Sequence, residues 1–171
     1  MRFFIKREPR GIMVVDWDNL QFGLDPDELN EASVIGGFDK IVKIIAREFG
    51  EIVDVFVFLP PQAAYTWGET LYKLGFYPIV CPKVMPKEEN KEKDTVDNTL
   101  IELSRSLIAN IKDLSFFCLV SGDRDFNPII RKVMRRGLKI IVVASSLRSL
   151  SRHLLPPKTD RTYIFELANP E

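Results

Sequence analysis

Two aspartate pairs hold the chemistry that this sequence offers. GIMVVDWDNL (residues 11–20) closes an apolar run with Asp16 and Asp18, and SFFCLVSGDRDFNPII (115–130) closes another with Asp123 and Asp125. KDTVDNTL (93–100) adds Asp94 and Asp97 where a helix begins after a charged loop. Crowded carboxylates repel, and burial makes each costlier to ionise. A hard divalent cation relieves both penalties: Mg2+ takes oxygen ligands and keeps several waters, and Mn2+ accepts the same donors. Such a site suits phosphate chemistry, where the ion offsets charge on phosphoryl oxygens and activates a water.

Structural roles compete for these residues. Asp125 is placed to cap the helix that opens at Phe126, and Asp94 with Asp97 three residues on resembles a capping arrangement. Asp18 can be a solvated loop acid. Asp16 and Asp123 terminate apolar runs directly, where an unpaired charge has little structural purpose.

The elements that must position these acids follow an alternating order. Residues 11–16 read as a strand; 33–50 place Phe38, Ile41, Val42, Ile44 and Ile45 at helical spacing and close on Gly50. EIVDVFVFLP (51–60) is a second strand, 63–75 a helix, and FYPIVCPKV (76–84) a third strand whose prolines put it at an edge. A polar loop, 85–95, precedes a helix over 94–110 with Val96, Leu100, Leu103 and Leu107 on one face. A fourth strand over 115–123, a helix over 125–137 with Pro128 in its first turn, and a fifth strand over 138–145 come next. A short Arg-rich helix over 146–153 and a sixth strand or edge extension over 161–167 complete the chain. This rhythm predicts a three-layer α/β/α architecture with a mostly parallel central sheet. Ligands of such sheets bind beyond the carboxyl ends of the strands, where both acidic pairs emerge.

The bulk numbers narrow the function. The 171 residues suit one domain, with 46% hydrophobic and 28% charged residues as in soluble globular proteins. Twenty-four basic residues balance 24 acidic ones, so no global field draws nucleic acid or a membrane, and local clusters must do so. Cys81 and Cys118 lack metal-type spacing and read as buried hydrophobes in a reducing compartment. No run approaches a membrane span, and MRFFIKREPRG reads as a strand or arm, not a signal peptide; the expected location is the cytoplasm.

Three motifs together resemble a known family. VVDWDNL resembles the Asp-x-x-Asn start of NYN domains, in the LabA-like branch of the PIN-like nuclease superfamily. KDTVDNTL is similar to their Lys-x-x-Val-Asp helix start, and VSGDRDFNPIIRKVMRRGLKIIVV to their Ser-Gly-Asp-x-Asp-Phe-x-Pro segment with its following helix and strand. The motifs occur in family order from about residue 11 to 145, with 146–171 as a C-terminal extension of a single domain. The resemblance implies a PIN-like fold and a metal-dependent nuclease acting on RNA. It implies Asp16, Asp97, Asp123 and Asp125 as the acidic cluster, with Asp16, Asp97 and Asp123 holding Mg2+ or Mn2+. Asn19 would position the first acid or the substrate, and Ser121 would support the turn or contact phosphate. One departure stands out. The family pattern places a further Asp near Leu103; here the nearest acid is Glu102, turned by about 100° around the helix.

Basic residues follow the acidic motif: Arg131, Lys132, Arg135 and Arg136, then Arg148, Arg152, His153 and Lys158. They offer positive flanks for a phosphate backbone, with Arg148 and Arg152 as substrate-binding residues and a solvated helix face as the alternative for the first group. His153 reads as a surface or packing residue, and Trp17 either stacks on a base or packs against the sheet. The KEENKEK segment (87–93) is a solvated loop or a flap beside the site. The expected function is a metal-dependent endoribonuclease; the alternatives are a non-catalytic RNA-binding or adaptor domain and, last, a Toprim-like phosphotransfer domain. The expected partners are nucleic acid and a second copy in a homodimer, with no membrane.

Overall fold

The computed structural model describes residues 8–85, 95–154 and 161–168. Asp94, Lys158 and the KEENKEK segment lie outside them. Six strands form one all-parallel sheet in the order β3-β2-β1-β4-β5-β6. They are β1 (Arg10–Asp16), β2 (Glu51–Leu59), β3 (Tyr77–Val80), β4 (Phe116–Val120), β5 (Lys139–Ala144) and β6 (Arg161–Ile164). The helices are α1 (Trp17–Phe22), α2 (Glu31–Glu48), α3 (Pro61–Lys73), α4 (Val96–Asn110) and α5 (Asn127–Arg135).

Alternation along β1 divides the core into two layers. Met13 and Val15 pack with Phe38, Ile41 and Ile45 of α2 and Trp67 and Leu71 of α3. Ile12 and Val14 face Leu100 and Ile108 of α4 and Ile129, Ile130 and Val133 of α5. The sheet is therefore covered on both faces, which explains why β4 is buried along its whole length. The three-layer architecture matches the expectation, and the sheet is parallel throughout.

Chain order reverses between β1 and β4. The chain steps outward from β1 to β3, then returns to place β4 on the other side of β1. Crossovers leaving those two strands diverge, and a crevice opens between them at their carboxyl ends. Asp16 ends β1 and Asp123 follows β4, so the acids stand at this crevice.

Local chemistry sets the element ends. Gly50, following the C-cap Phe49 of α2, adopts φ +131°, and a Cβ there would lie 2.1 Å from the Pro9 carbonyl oxygen. Pro61 starts α3, where its missing N–H leaves no helical bond unmade. β3 is Tyr77–Val80, shorter than the expected 76–84, with Pro78 inside it and Pro82 just beyond, at the expected edge.

Three elements differ from the sequence reading. A short helix, α1, follows the first acid directly, because the Asp16 side chain caps it by accepting the Asn19 N–H. The buried face of α4 is Val96, Leu100, Ser104 and Ile108, whereas Leu103 and Leu107 sit half-buried beside it. Residues 146–153 form turns instead of the expected helix. There Ser149 Oγ accepts the Ser146 N–H at 3.0 Å, and Ser146 Oγ accepts the Ser149 N–H at 3.1 Å. Such side-chain bonds offer the backbone an alternative to helical pairing.

Candidate active site

The acidic cleft is built from three places in the chain. Asp16 arrives at the end of β1, Asp97 in the first turn of α4, and Asp123 in the loop after β4. With Asp18, Asn19, Phe22 and Val96 they line a cleft of about 310 Å³. The deepest acid is Asp16, only 5% exposed; Asp123 is half-buried and Asp97 exposed.

A hydrogen-bonded frame holds the two strand-end acids. Ser121 Oγ donates to Asp16 Oδ2 at 3.2 Å and accepts the Asp123 N–H at 3.2 Å. Asn19 Oδ1 accepts the Gly122 N–H at 3.0 Å, tying α1 to the loop after β4. Asp123 Oδ1 in turn accepts the Asp125 N–H at 2.9 Å and caps a single 3-10 turn, Arg124–Phe126. Ser121 thus bonds to both strand-end acids, whereas the Asn19 side chain bonds to Gly122 and only its N–H bonds to Asp16.

Electrostatics make Asp16 unusual. Burial, together with the negative charges of Asp97 and Asp18, raises its pKa from the ordinary 3.8 to about 7. Bonds from the Asn19 N–H and the Ser121 hydroxyl oppose the rise. No ion pair between described residues joins a Lys or Arg to Asp16, Asp123 or Asp125.

The donor set is the right one for a hard cation: carboxylate oxygens around a polar cleft, with mutual repulsion to relieve. Among the described residues, no three of His, Cys, Asp and Glu are grouped tightly enough to chelate one ion. The side chains come from separate elements and line one cleft, in which Asp97 is exposed and Asp16 buried. Mg2+ commonly takes one or two carboxylates and completes its sphere with water, so this spacing fits a hydrated ion better than a caged one.

Other expected residues fall elsewhere. Asp125 is exposed and absent from the cleft lining, and it does not cap α5, whose N-cap is Phe126. Trp17 is buried against Trp67 with ring centroids 5.2 Å apart, so it packs on the sheet and does not stack on a base. Glu102 is exposed beside Arg105, which leaves Asp97 as the acid that α4 gives to the cleft. The turns at 145–154 do reach this edge: the Ser151 N–H bonds to the Gly122 carbonyl at 2.8 Å and Asn127 Nδ2 to the His153 carbonyl at 2.9 Å. Arg148 and Arg152 are exposed on these turns, outside the cleft lining. His153 is exposed and contributes only its carbonyl, in keeping with a surface residue. Phe22, which its residue type alone did not single out, lines the cleft while 92% exposed.

The NYN domain family model matches residues 11–163. The chain belongs to the NYN domain family. The match runs past residue 145 into β6, so the turns and last strand lie within the domain. NYN domains are members of the PIN-like nuclease superfamily, in agreement with the motif resemblance.

A relative in Methanocaldococcus jannaschii, "Uncharacterized protein MJ0482", is 29% identical over 143 residues, covering 82% of this chain and 49% of its own length. The NYN chain thus spans about half the length of that relative. Among solved structures, Acinetobacter baumannii MurG is 8% identical with a TM-score of 0.45, covering 95% of this chain and 47% of its own. LpCGTa in complex with UDP is 12% identical with a TM-score of 0.40, covering 82% and 32%. These two likenesses are too low to carry an argument. Among the described residues, no helix is long and apolar enough to cross a membrane.

Proposed function

We propose that this NYN domain, formed by the whole chain, is a metal-dependent endoribonuclease whose site is the acidic cleft. The observation that carries the reading is the meeting of Asp16, Asp97 and Asp123 from β1, α4 and the β4 loop at the point where strand order reverses. Asp16, Asp97 and Asp123 would hold Mg2+ or Mn2+, largely through water. Such an ion supplies positive charge opposite the phosphoryl oxygens and makes water more acidic.

The chain's own residues supply the rest. With a pKa of about 7, Asp16 can hold or release a proton at its carboxylate near neutrality. Ser121 and Asn19 keep the two strand ends in register, and the Asp125 N–H orients the Asp123 carboxylate. Asp125 therefore acts on the cluster through Asp123. Arg148 and Arg152, exposed on turns bonded to Gly122, would bind phosphates flanking the scissile one.

Purified protein incubated with a labelled RNA and Mn2+ tests this reading. Cleavage that EDTA stops, and that Asp123→Asn lowers by at least about 100-fold without loss of fold, is the expected result. Equal cleavage by Asp123→Asn would overturn it. The runner-up, a non-catalytic RNA-binding or adaptor domain, is favoured by the outward position of Glu102 and the lack of a three-acid group among the described residues. It predicts RNA affinity without Mn2+-stimulated turnover.

A further inference from the structure

Phe22 is 92% exposed, although a large aromatic ring gains most by burial. It lies at the end of α1, and that helix is firmly anchored. Trp17 and Leu20 are buried on its inner face, and Trp17 Nε1–H donates to Gln21 Oε1 at 2.8 Å. The next residue, Gly23, is pinned as well, since a Cβ there would lie 1.8 Å from Ser145 Oγ. The ring is therefore held outward by an ordered backbone.

Two hollows share this ring. On one side is the acidic cleft; on the other is a pocket of about 550 Å³ walled by Phe22, Leu24, Pro26 and Leu29, with Gln21 and Asp18 at its polar edge. Gln21 has its oxygen engaged by Trp17, so its amide N–H2 is what it offers a ligand. A flat, apolar-faced group with polar edges suits such a wall. A phosphodiester seated at the acids carries such a group within one nucleotide.

We infer that Phe22 and the pocket beside it form a nucleobase-stacking subsite that takes an unpaired base of the nucleic acid in the adjoining cleft. A base inside a duplex is covered on both faces by its neighbours and cannot present one to Phe22, whereas an unpaired base can. The inference rests on the nuclease reading for the placement of the phosphodiester. An aliphatic side chain of a protein partner would also fill an apolar pocket, but would have no reason to border a carboxylate cleft.

Binding of a short labelled oligoribonucleotide, measured by anisotropy in EDTA so that nothing is cleaved, tests it. Phe22→Ala and Phe22→Leu should each weaken binding by about 5- to 100-fold, whereas Phe22→Trp should retain it and show quenched indole fluorescence on binding. An oligonucleotide with abasic sites should bind the wild type and Phe22→Ala alike. Wild-type affinity in Phe22→Leu, or a duplex bound as tightly as a single strand, overturns the subsite. Mn2+-dependent cleavage with unaltered Phe22→Ala affinity removes the subsite and leaves the nuclease reading. Phe22-dependent binding without cleavage does the reverse, and absence of both oligonucleotide binding and Mn2+-dependent cleavage in the wild type overturns both.

Discussion

Ser121 Oγ donates to Asp16 Oδ2 at 3.2 Å, joining the ends of β1 and β4 across 105 residues of chain. The same oxygen accepts the Asp123 N–H, so one hydroxyl serves both strand-end acids. Ser121→Ala removes a bond that favours the ionised form of Asp16, and the Asp16 pKa should rise further. The pH profile of cleavage should move to the alkaline side, with a stability loss of about 1–2 kcal/mol from the unpaired buried groups. A pH–rate profile beside urea unfolding of both proteins checks this. An unmoved profile would mean that Asp16 titration does not limit the reaction.

Stability itself should depend on pH through Asp16. Its folded pKa of about 7 lies above the ordinary 3.8, so the folded state holds a proton that the unfolded chain releases. The associated stability is present in full below about pH 4 and is lost as pH rises through 7, by up to roughly 4 kcal/mol. In EDTA, the wild type should therefore lose more stability between pH 5 and pH 8 than Asp16→Asn does. Mn2+ should restore part of the loss at pH 8, because it competes with the proton for the same carboxylate. Denaturant titrations at the two pH values read both effects, and parallel curves for the two proteins would contradict the assignment.

Much of this arrangement was legible from residue types. Runs such as IMVV and FFCLV mark strands covered on both faces, and Asp16 and Asp123 mark their ends, so the sheet and the crevice followed from the sequence. Helix α1 was not legible, since six residues are too few for a helical period to show. That gap hid the roles of its two aromatics. Once Asp16 is known to cap the helix, Trp17 and Leu20 fall on one face and Phe22 lies about 200° beyond Leu20, on the opposite side. The turns at 146–153 escaped because their serines bond locally, a competition that composition does not rank. Whether three acids close around an ion depends on side-chain placement across separate elements, which motif spacing does not encode.

Gly122 ties the C-terminal turns to the site. A Cβ at this position would lie 2.2 Å from the Ser149 carbonyl oxygen and 2.9 Å from the Leu150 Cα, both backbone atoms without a flexible end to move. Gly122→Ala should therefore push the 145–154 turns away and break the Ser151 N–H bond to the Gly122 carbonyl. We expect a stability loss of about 1–3 kcal/mol and faster amide exchange at Ser151. Weaker RNA binding should accompany it, since Arg148 and Arg152 ride on the displaced turns. Unchanged exchange at Ser151 in Gly122→Ala would show that the turns do not rest on this glycine.

The outer face of α5 gives the last test. Arg131, Lys132 and Arg135 line shallow grooves between α4 and α5 together with Arg105 and Arg136, and α5 begins directly after the 3-10 turn that carries Asp125. No ion pair between described residues engages Arg131, Lys132 or Arg135. In a chain with 24 basic and 24 acidic residues, such a concentration of unneutralised cations is a local field, not a general one. A nucleic acid whose scissile phosphate sits in the cleft has its continuing backbone available to this face. Replacing all three cations by Gln should weaken RNA binding at low salt. It should also reduce the slope of log affinity against log salt by about one for each phosphate that the variant no longer neutralises. Stability should change by less than about 1 kcal/mol, because exposed charges contribute little to folding. A salt titration of RNA affinity for both proteins decides the matter. A slope unaffected by the triple substitution would route the backbone over Arg148 and Arg152 instead.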